Sequence, residues 1–216
     1  SRVAAGHAVL RVGAGSAADA NAFEGATFAL ATTPNTDPAA IELASDFIER
    51  IGASPHFTDP MEHDGVMALV DQLPQFVGSA LVSLSSTANG WRDSRRLAGG
   101  QYARSTETGA SAQQLFRAFT ENRENLVRRV QDLQGELDRL LALLATDAAE
   151  DSAGEPHPLL VELEEAEKAR TDWGNQSRAA KWDDPNAAVA QASESPSFLR
   201  QLFLGNIGKK KTPNGN

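Results

Sequence analysis

Apolar residues recur at helical spacing over most of the chain, and short apolar runs interrupt that rhythm near its start. Ile41, Ala44, Phe47, Ile48 and Ile51 share one face of a predicted helix. Asp37 offers an N-cap, Pro38 suits the first helical position, and Gly52 supplies the stop. Before this helix, "ATFALA" at 26–31 is followed by the turn-rich "TTPNTDP" and predicts a strand. After it, "SPHFTD" predicts a second short strand lying beside the first.

A longer helix is predicted from residue 61 to about 88. Val66, Leu69, Val70 and Leu73 form one stripe, which Phe76, Val77, Ala80, Leu81 and Leu84 continue. Pro74 interrupts it, just after the polar pair Asp71 and Gln72. Proline lacks an N–H, so a bend is expected there, freeing one or two carbonyls on the preceding turn. Asn89 and Gly90 end the segment. The longest element is expected to start near Ser111 and to run about 35 residues, on the order of 50 Å. Leu126, Val130, Leu133, Leu137, Leu140 and Leu144 alternate spacings of four and three along it, a heptad seam suited to a bundle or a partner subunit. Residues 146–157 turn acidic, and a further helix is expected over 158–173 through Leu159, Leu160, Leu163, Ala166 and Ala169. About twenty irregular residues, a short amphipathic "SFLRQLFL" and the basic, glycine-rich "GNIGKKKTPNGN" complete the chain.

Composition narrows the chemistry. The 216 residues are 41% hydrophobic and 23% charged, which is globular and allows one or two domains. A formal charge of -9 disfavours nonspecific attraction to nucleic acid or anionic membrane, although Arg92, Arg95 and Arg96 could form a local basic patch. The absence of cysteine excludes disulfides, thiolate-held zinc, iron–sulfur clusters and a cysteine nucleophile, and fits a cytoplasmic location. No stretch approaches 18 consecutive apolar residues and no leader pattern is recognisable, so no membrane role is expected. The chain begins with Ser1, which leaves room for an upstream segment.

Several candidate sites fail on mechanism. Gly13, Gly15 and Ala18 imitate a dinucleotide loop, but the strand at 26 arrives after only a turn or two. The next acidic candidate, Asp37, sits at a helix cap instead of a strand end. His56, Glu62, His63 and Asp64 cluster in sequence, yet neighbours on a helix point about 100° apart and converge poorly on a metal. Favourable placement at a helix start explains them better. Asp71 and Gln75 stand four apart on the face of the proline bend, either as a pocket wall or as a solvated stripe. Arg96, in "GWRDSRRLAGG", offers a planar fork for a carboxylate.

Taken in order, "GHAVL", "ATFALATTPNTDP", "MEHDGVMALVDQLPQFVGSAL", "GWRDSRR" and "FTENRENLVRRV" resemble the C-terminal part of the prephenate dehydrogenases over roughly residues 2–145. The resemblance implies a mainly α fold: the helical dimerisation domain of that family, with a long central helix and one or two short N-terminal strands. It divides the chain into a link to a Rossmann domain at 1–35, the helical domain at 36–175 and an extended tail at 176–216. It also implies oxidation of prephenate to 4-hydroxyphenylpyruvate, with NAD or NADP held by an upstream or partner Rossmann domain and not by this chain alone.

Carried over residue by residue, His7 matches the family's catalytic histidine, with Ala8 in place of the proline that follows it. Asp71, Gln72, Leu73, Pro74 and Gln75 stand where serine, histidine, leucine, proline and histidine occur. Arg96 matches a carboxylate-binding arginine, and Asn125 an asparagine of the long helix. Glutamine donates a hydrogen bond but is neither acid nor base near neutral pH. The resemblance therefore implies a homodimer joined through long helices, binding an aromatic dicarboxylate and inactive as this chain alone. The alternative is a noncatalytic dimerisation or small-molecule-binding module derived from the same fold.

Overall fold

The structure is a computed structural model describing residues 5–11, 21–146 and 156–182. The glycine-rich loop at 13–18, the amphipathic "SFLRQLFL" and the basic end lie outside the described residues.

Three strands open the fold: β1 (Ala5–Val9), β2 (Thr27–Ala31) and β3 (Ser54–Thr58). They form one sheet in the order β1-β2-β3, with β1 antiparallel and β3 parallel to β2. β2 and β3 occupy the segments whose composition predicts them. β1 is a third strand beyond the one or two expected, formed by a run too short and glycine-broken to show a period. Alternation assigns the two faces. Ala26 and Leu30 join Ile48 and Ala53 in the core, with Phe28, Ala44 and Ile51 packed against it. His7, Ala29 and His56 stand opposite one another across the sheet.

The helix α1 (Pro38–Arg50) starts where its sequence signals place it. Asp37 accepts from the Ala39 N–H at 3.0 Å, and Pro38 sits in the first turn. The parallel crossover then turns on Gly52, whose φ of 81° is a left-handed conformation that glycine adopts without strain.

Pro60–Thr87 is one continuous helical run in three parts: α2 (Pro60–Met67), a π-helical turn (Ala68–Gln72) and α3 (Leu73–Thr87). The expected kink is here a π-turn. The Leu73 N–H returns to the Ala68 carbonyl five residues back, immediately before Pro74, which has no N–H to give. By length and mean composition this 28-residue run could span a membrane, although Glu62, His63, Asp64, Asp71, Gln72 and Gln75 interrupt it and it contains no 18 consecutive apolar residues. Its apolar stripe is largely uncovered in the single chain, with Val66 49%, Val70 60% and Leu84 70% exposed. Asp71, Gln72 and Gln75 nonetheless place polar groups near its middle.

Short elements follow: α4 (Trp91–Ser94), a 3-10 turn (Arg95–Leu97) and α5 (Gly100–Thr106). α5 docks on α3 where Gly78 leaves no side chain. A Cβ there would lie 3.1 Å from the Ser105 carbonyl oxygen. Ser85 Oγ and Tyr102 Oη, 2.6 Å apart, share a hydrogen bond across the same junction.

The single long helix expected from Ser111 is two helices, α6 (Ala112–Glu121) and α7 (Arg123–Leu144). Ser111 does start it, through a capping box with Gln114. Asn122, at φ -112° and ψ 32°, leaves the helical region and separates the two. α7 therefore has 22 residues and a length of about 33 Å. The heptad reading applies to α7, where Leu126 is buried while Leu137 and Leu144 are 55% and 67% exposed. α8 (Pro158–Ala179) runs past Trp173, where the sequence suggests an irregular stretch. It packs on α7 through Arg139 and Glu162.

Candidate functional site

The face of the sheet opposite the core carries His7 on β1 beside Ala29 of β2. Alanines at 29 and 31 leave room for α2 to lie over this face, and α2 brings His63 to His7. The two rings meet edge to face with centroids 5.6 Å apart. Asp59 caps α2 by accepting from the Met61 N–H at 2.8 Å, and Glu62 sits in the first turn, so capping falls to a residue outside the histidine cluster. His63 Nδ1 lies 3.4 Å from an oxygen of Asp64. Among the described residues, no three histidine, aspartate or glutamate side chains converge as metal ligands.

Two adjoining hollows of about 350 Å³ and 380 Å³ meet at His7, His63 and Asp64. The second extends to Asp71 and Gln72 on the π-turn, and to Glu121 and Asn122 at the α6–α7 break. The π-turn matters here because an extra residue in one turn rotates the helix before Pro74 relative to the helix after it. Asp71 and Gln72 sit on that widened turn, facing the helix break across the hollow.

A chain of amides ties these parts together. Asn125 Nδ2 donates to Asn122 Oδ1 at 2.8 Å. Asn122 Nδ2 donates to the Asp64 carbonyl at 2.8 Å and to Gln72 Oε1 at 3.0 Å. Gln75 Nε2 donates to Asp71 Oδ1 at 2.9 Å.

The residues singled out from sequence are thus partly assembled. His7, Asp71 and Gln72 line one hollow, while Asn125 and Gln75 stand behind it as hydrogen-bond partners. Arg96 does not join them. It lies exposed on the 3-10 turn, and the second hollow is lined by three carboxylates and two imidazoles but by no arginine or lysine. His63 and Asn122 are residues that sequence reasoning did not place in the site. His63 falls four positions before Met67, which also lines the hollow, and Asn122 is a poor helix former within an otherwise strong helical pattern.

A larger hollow of about 1340 Å³ lies at the carboxyl ends of β2 and β3, where a nucleotide would be sought. The N-termini of α1 and α2 line it, but Asp37 and Asp59 each already accept from one N–H there. With Glu42 and Glu62 also lining it, a pyrophosphate would meet carboxylates instead of donors. The lining of this hollow does not suit a dinucleotide's phosphates.

Residues 59–154 match the family model described as prephenate dehydrogenase, dimerization domain. The prephenate dehydrogenase of Bacillus subtilis (strain 168) is 26% identical over 133 residues, covering 60% of this chain and 35% of that protein. Over residues 59–154 the chain is similar to the dimerization domain of the prephenate dehydrogenases. Its fold is also that of Synechocystis arogenate dehydrogenase, at a TM-score of 0.64 and 22% identity over 80% of this chain and 62% of that one. Prephenate dehydrogenase from A. aeolicus, solved with hydroxyphenyl propionate and NAD+, superposes at a TM-score of 0.62 with 25% identity, over 70% of this chain and 51% of that one. The chain therefore spans 35% of the curated relative and little more than half of the solved ones. The family match begins at Asp59, so His7 and the sheet stand outside the matched segment, while the π-turn and the α6–α7 break stand within it.

Proposed function

We propose that this chain is the ring-binding and dimerising part of a prephenate dehydrogenase-type oxidoreductase. Its substrate would be a cyclohexadienyl carboxylate of the prephenate or arogenate kind, and residues other than the described ones would hold NAD or NADP. The observation that carries this reading is the meeting of His7 and Gln72 in one hollow, from a strand and a helix far apart in sequence. His7 would hydrogen-bond the ring hydroxyl of the substrate, and Gln72 would steady it as a donor. Arg96 is assigned to a substrate carboxylate by resemblance alone. Two copies would assemble through the helices, covering the apolar residues of α3 and α7 that one chain leaves open. A cytoplasmic location and the division at residues 35 and 175 go with this reading.

Titration of the chain with hydroxyphenyl propionate tests it: saturable binding that weakens on His7→Ala and Gln72→Ala is expected. A folded chain that binds no such ligand would overturn it. The second reading, a noncatalytic binding module, is favoured by Gln72 and Gln75, which cannot shuttle protons. Prephenate with NAD or NADP separates the two, because formation of reduced nicotinamide by this chain excludes the noncatalytic reading.

A further inference from the structure

Asn122 occupies an N-cap position, yet its side chain caps nothing in α7. Asparagine is among the best N-caps, so giving up that bond costs stability. The side chain instead crosses to α2 and the π-turn. The polarity of that crossing is fixed by chemistry. The Asp64 carbonyl can only accept, so the Asn122 atom 2.8 Å from it is the amide nitrogen. The same nitrogen reaches Gln72 at 3.0 Å, so the Gln72 atom there is the oxygen. Asn125 completes the set by donating to Asn122 Oδ1, which holds the Asn122 amide in this orientation.

We infer that Asn122 is a positioning residue: by engaging Gln72 Oε1, it fixes the glutamine amide so that its two N–H groups are left for whatever occupies the hollow. No described residue accepts from Gln72 Nε2. The hollow is otherwise rich in acceptors, with Asp64, Asp71 and Glu121 among its walls. Gln72 is thus the fixed amide donor that selects an oxygen acceptor on the ligand. A freely rotating glutamine would present either polarity and select neither. The break between α6 and α7 follows from the same residue, because Asn122 leaves the helical conformation where its side chain makes these bonds.

The identity of the ligand rests on the ring-binding reading above, but the role of Asn122 is tested without it. In the wild-type chain, NMR should show the Asn122 side-chain amide protons exchanging with solvent at least about tenfold more slowly than a free amide, because each carries a hydrogen bond. Exchange at the free rate would overturn the inference. The ligand arm compares hydroxyphenyl propionate with the corresponding hydroxyphenyl amine. Asn122→Asp removes the donor and lets Gln72 turn its N–H groups inward. Gln72→Glu keeps the bond from Asn122 and puts an oxygen where the free N–H groups were, which covers the case in which Asn122→Asp does not fold. Each variant should shift the carboxylate-to-amine preference toward the amine by about tenfold. An unchanged preference in folded variants overturns the inference. If the wild type binds neither probe, the ring-binding reading fails, and amide exchange alone decides the role of Asn122.

Discussion

His63 presents its ring to His7 edge on, at 5.6 Å between centroids, and so joins the first long helical run to the edge strand of the sheet. The contact holds the His7 ring against an otherwise open edge, since His7 is exposed and its sheet neighbour is only an alanine. Aromatic pairs of this geometry contribute about 0.5–1.5 kcal/mol beyond area burial. His63→Ala is therefore expected to weaken binding of hydroxyphenyl propionate by about threefold to tenfold, with little change in melting temperature. His63→Phe keeps an edge contact and should recover most of the loss. Calorimetric titration of the three proteins measures this, and equal affinities would show that the ring contact has no part in binding.

Pro74 and the π-turn before it form one device. A proline inside a regular helix costs about 3 kcal/mol relative to alanine, largely through the lost bond and the clash with the preceding turn. The π-turn accommodates the proline by widening the preceding turn, with the Leu73 N–H reaching Ala68. Pro74→Ala should let the run relax toward a regular α-helix, raising the melting temperature while rotating Asp71 and Gln72 away from Asn122. The expected result is a more stable protein with weaker ligand binding. A gain in stability with unchanged binding would mean that the π-turn positions nothing.

Much of this was legible in the sequence, and the exceptions have physical causes. The cap at Asp37, the helix start near Ser111, the neighbouring strands at 26–31 and in "SPHFTD", and the interruption at Pro74 all arise from local residue chemistry. The split at Asn122 is only faintly signalled. Leu115, Phe119, Leu126 and Val130 keep helical spacing on both sides, and the side-chain bonds of Asn122 to the Asp64 carbonyl and to Gln72 are contacts between distant segments that spacing does not show. His63 was hidden for the same reason. Its value depends on β1, a strand whose five residues are too few for a period and which pairing with β2 stabilises. Arg96 rests on residue type and motif alone, and in the single chain it lies on an exposed turn outside the hollow.

Gly78 lets α5 approach α3 closely. Alanine at this position would gain about 1 kcal/mol of helix propensity. Its Cβ, however, would press on the Ser105 carbonyl oxygen at 3.1 Å, a backbone atom held in α5 beside the Ser85–Tyr102 hydrogen bond. Overpacking against such an atom costs about 1–3 kcal/mol. Gly78→Ala is expected to be net destabilising by up to about 2 kcal/mol. Gly135, with open space around it, is the control, because Gly135→Ala should stabilise. Chemical denaturation of both variants provides the comparison.

The uncovered half of the α7 seam predicts the assembly state. Leu137 and Leu144 are 55% and 67% exposed in one chain and lie one heptad apart. If a second copy covers them, the double change Leu137→Glu and Leu144→Glu should convert a dimer to a monomer in sedimentation equilibrium. Arg129→Ala, whose partner Asp132 lies on the same helix, should leave the assembly intact. A wild type that sediments as a monomer at all concentrations contradicts the dimer reading directly.

Arg139 fastens α8 to α7, and its partners give the junction a pH dependence. Its guanidinium lies 2.7 Å from Glu136 on its own helix and 2.6 Å from Glu162 on α8. Hydrogen bonding to Arg139 is the main reason both carboxyls are held below their ordinary value of 4.5, and Arg139 itself is held still more firmly protonated by Glu136 and Glu162. For an acid whose pKa is lower in the folded state, the stabilisation is fully present above the unfolded value and is lost as pH falls through the folded one. The junction should accordingly be intact near neutrality and loosen below pH 4.5, as the two glutamates take up protons. All three groups are solvent-exposed, so high salt should weaken the effect throughout. Amide exchange across α8, followed from pH ~7 to ~3, should show protection falling in the wild type. Arg139→Met should start lower and change little over the same interval, because it has removed the partner that makes protonation costly. Parallel loss of protection in both proteins would assign the acid sensitivity of α8 to other groups.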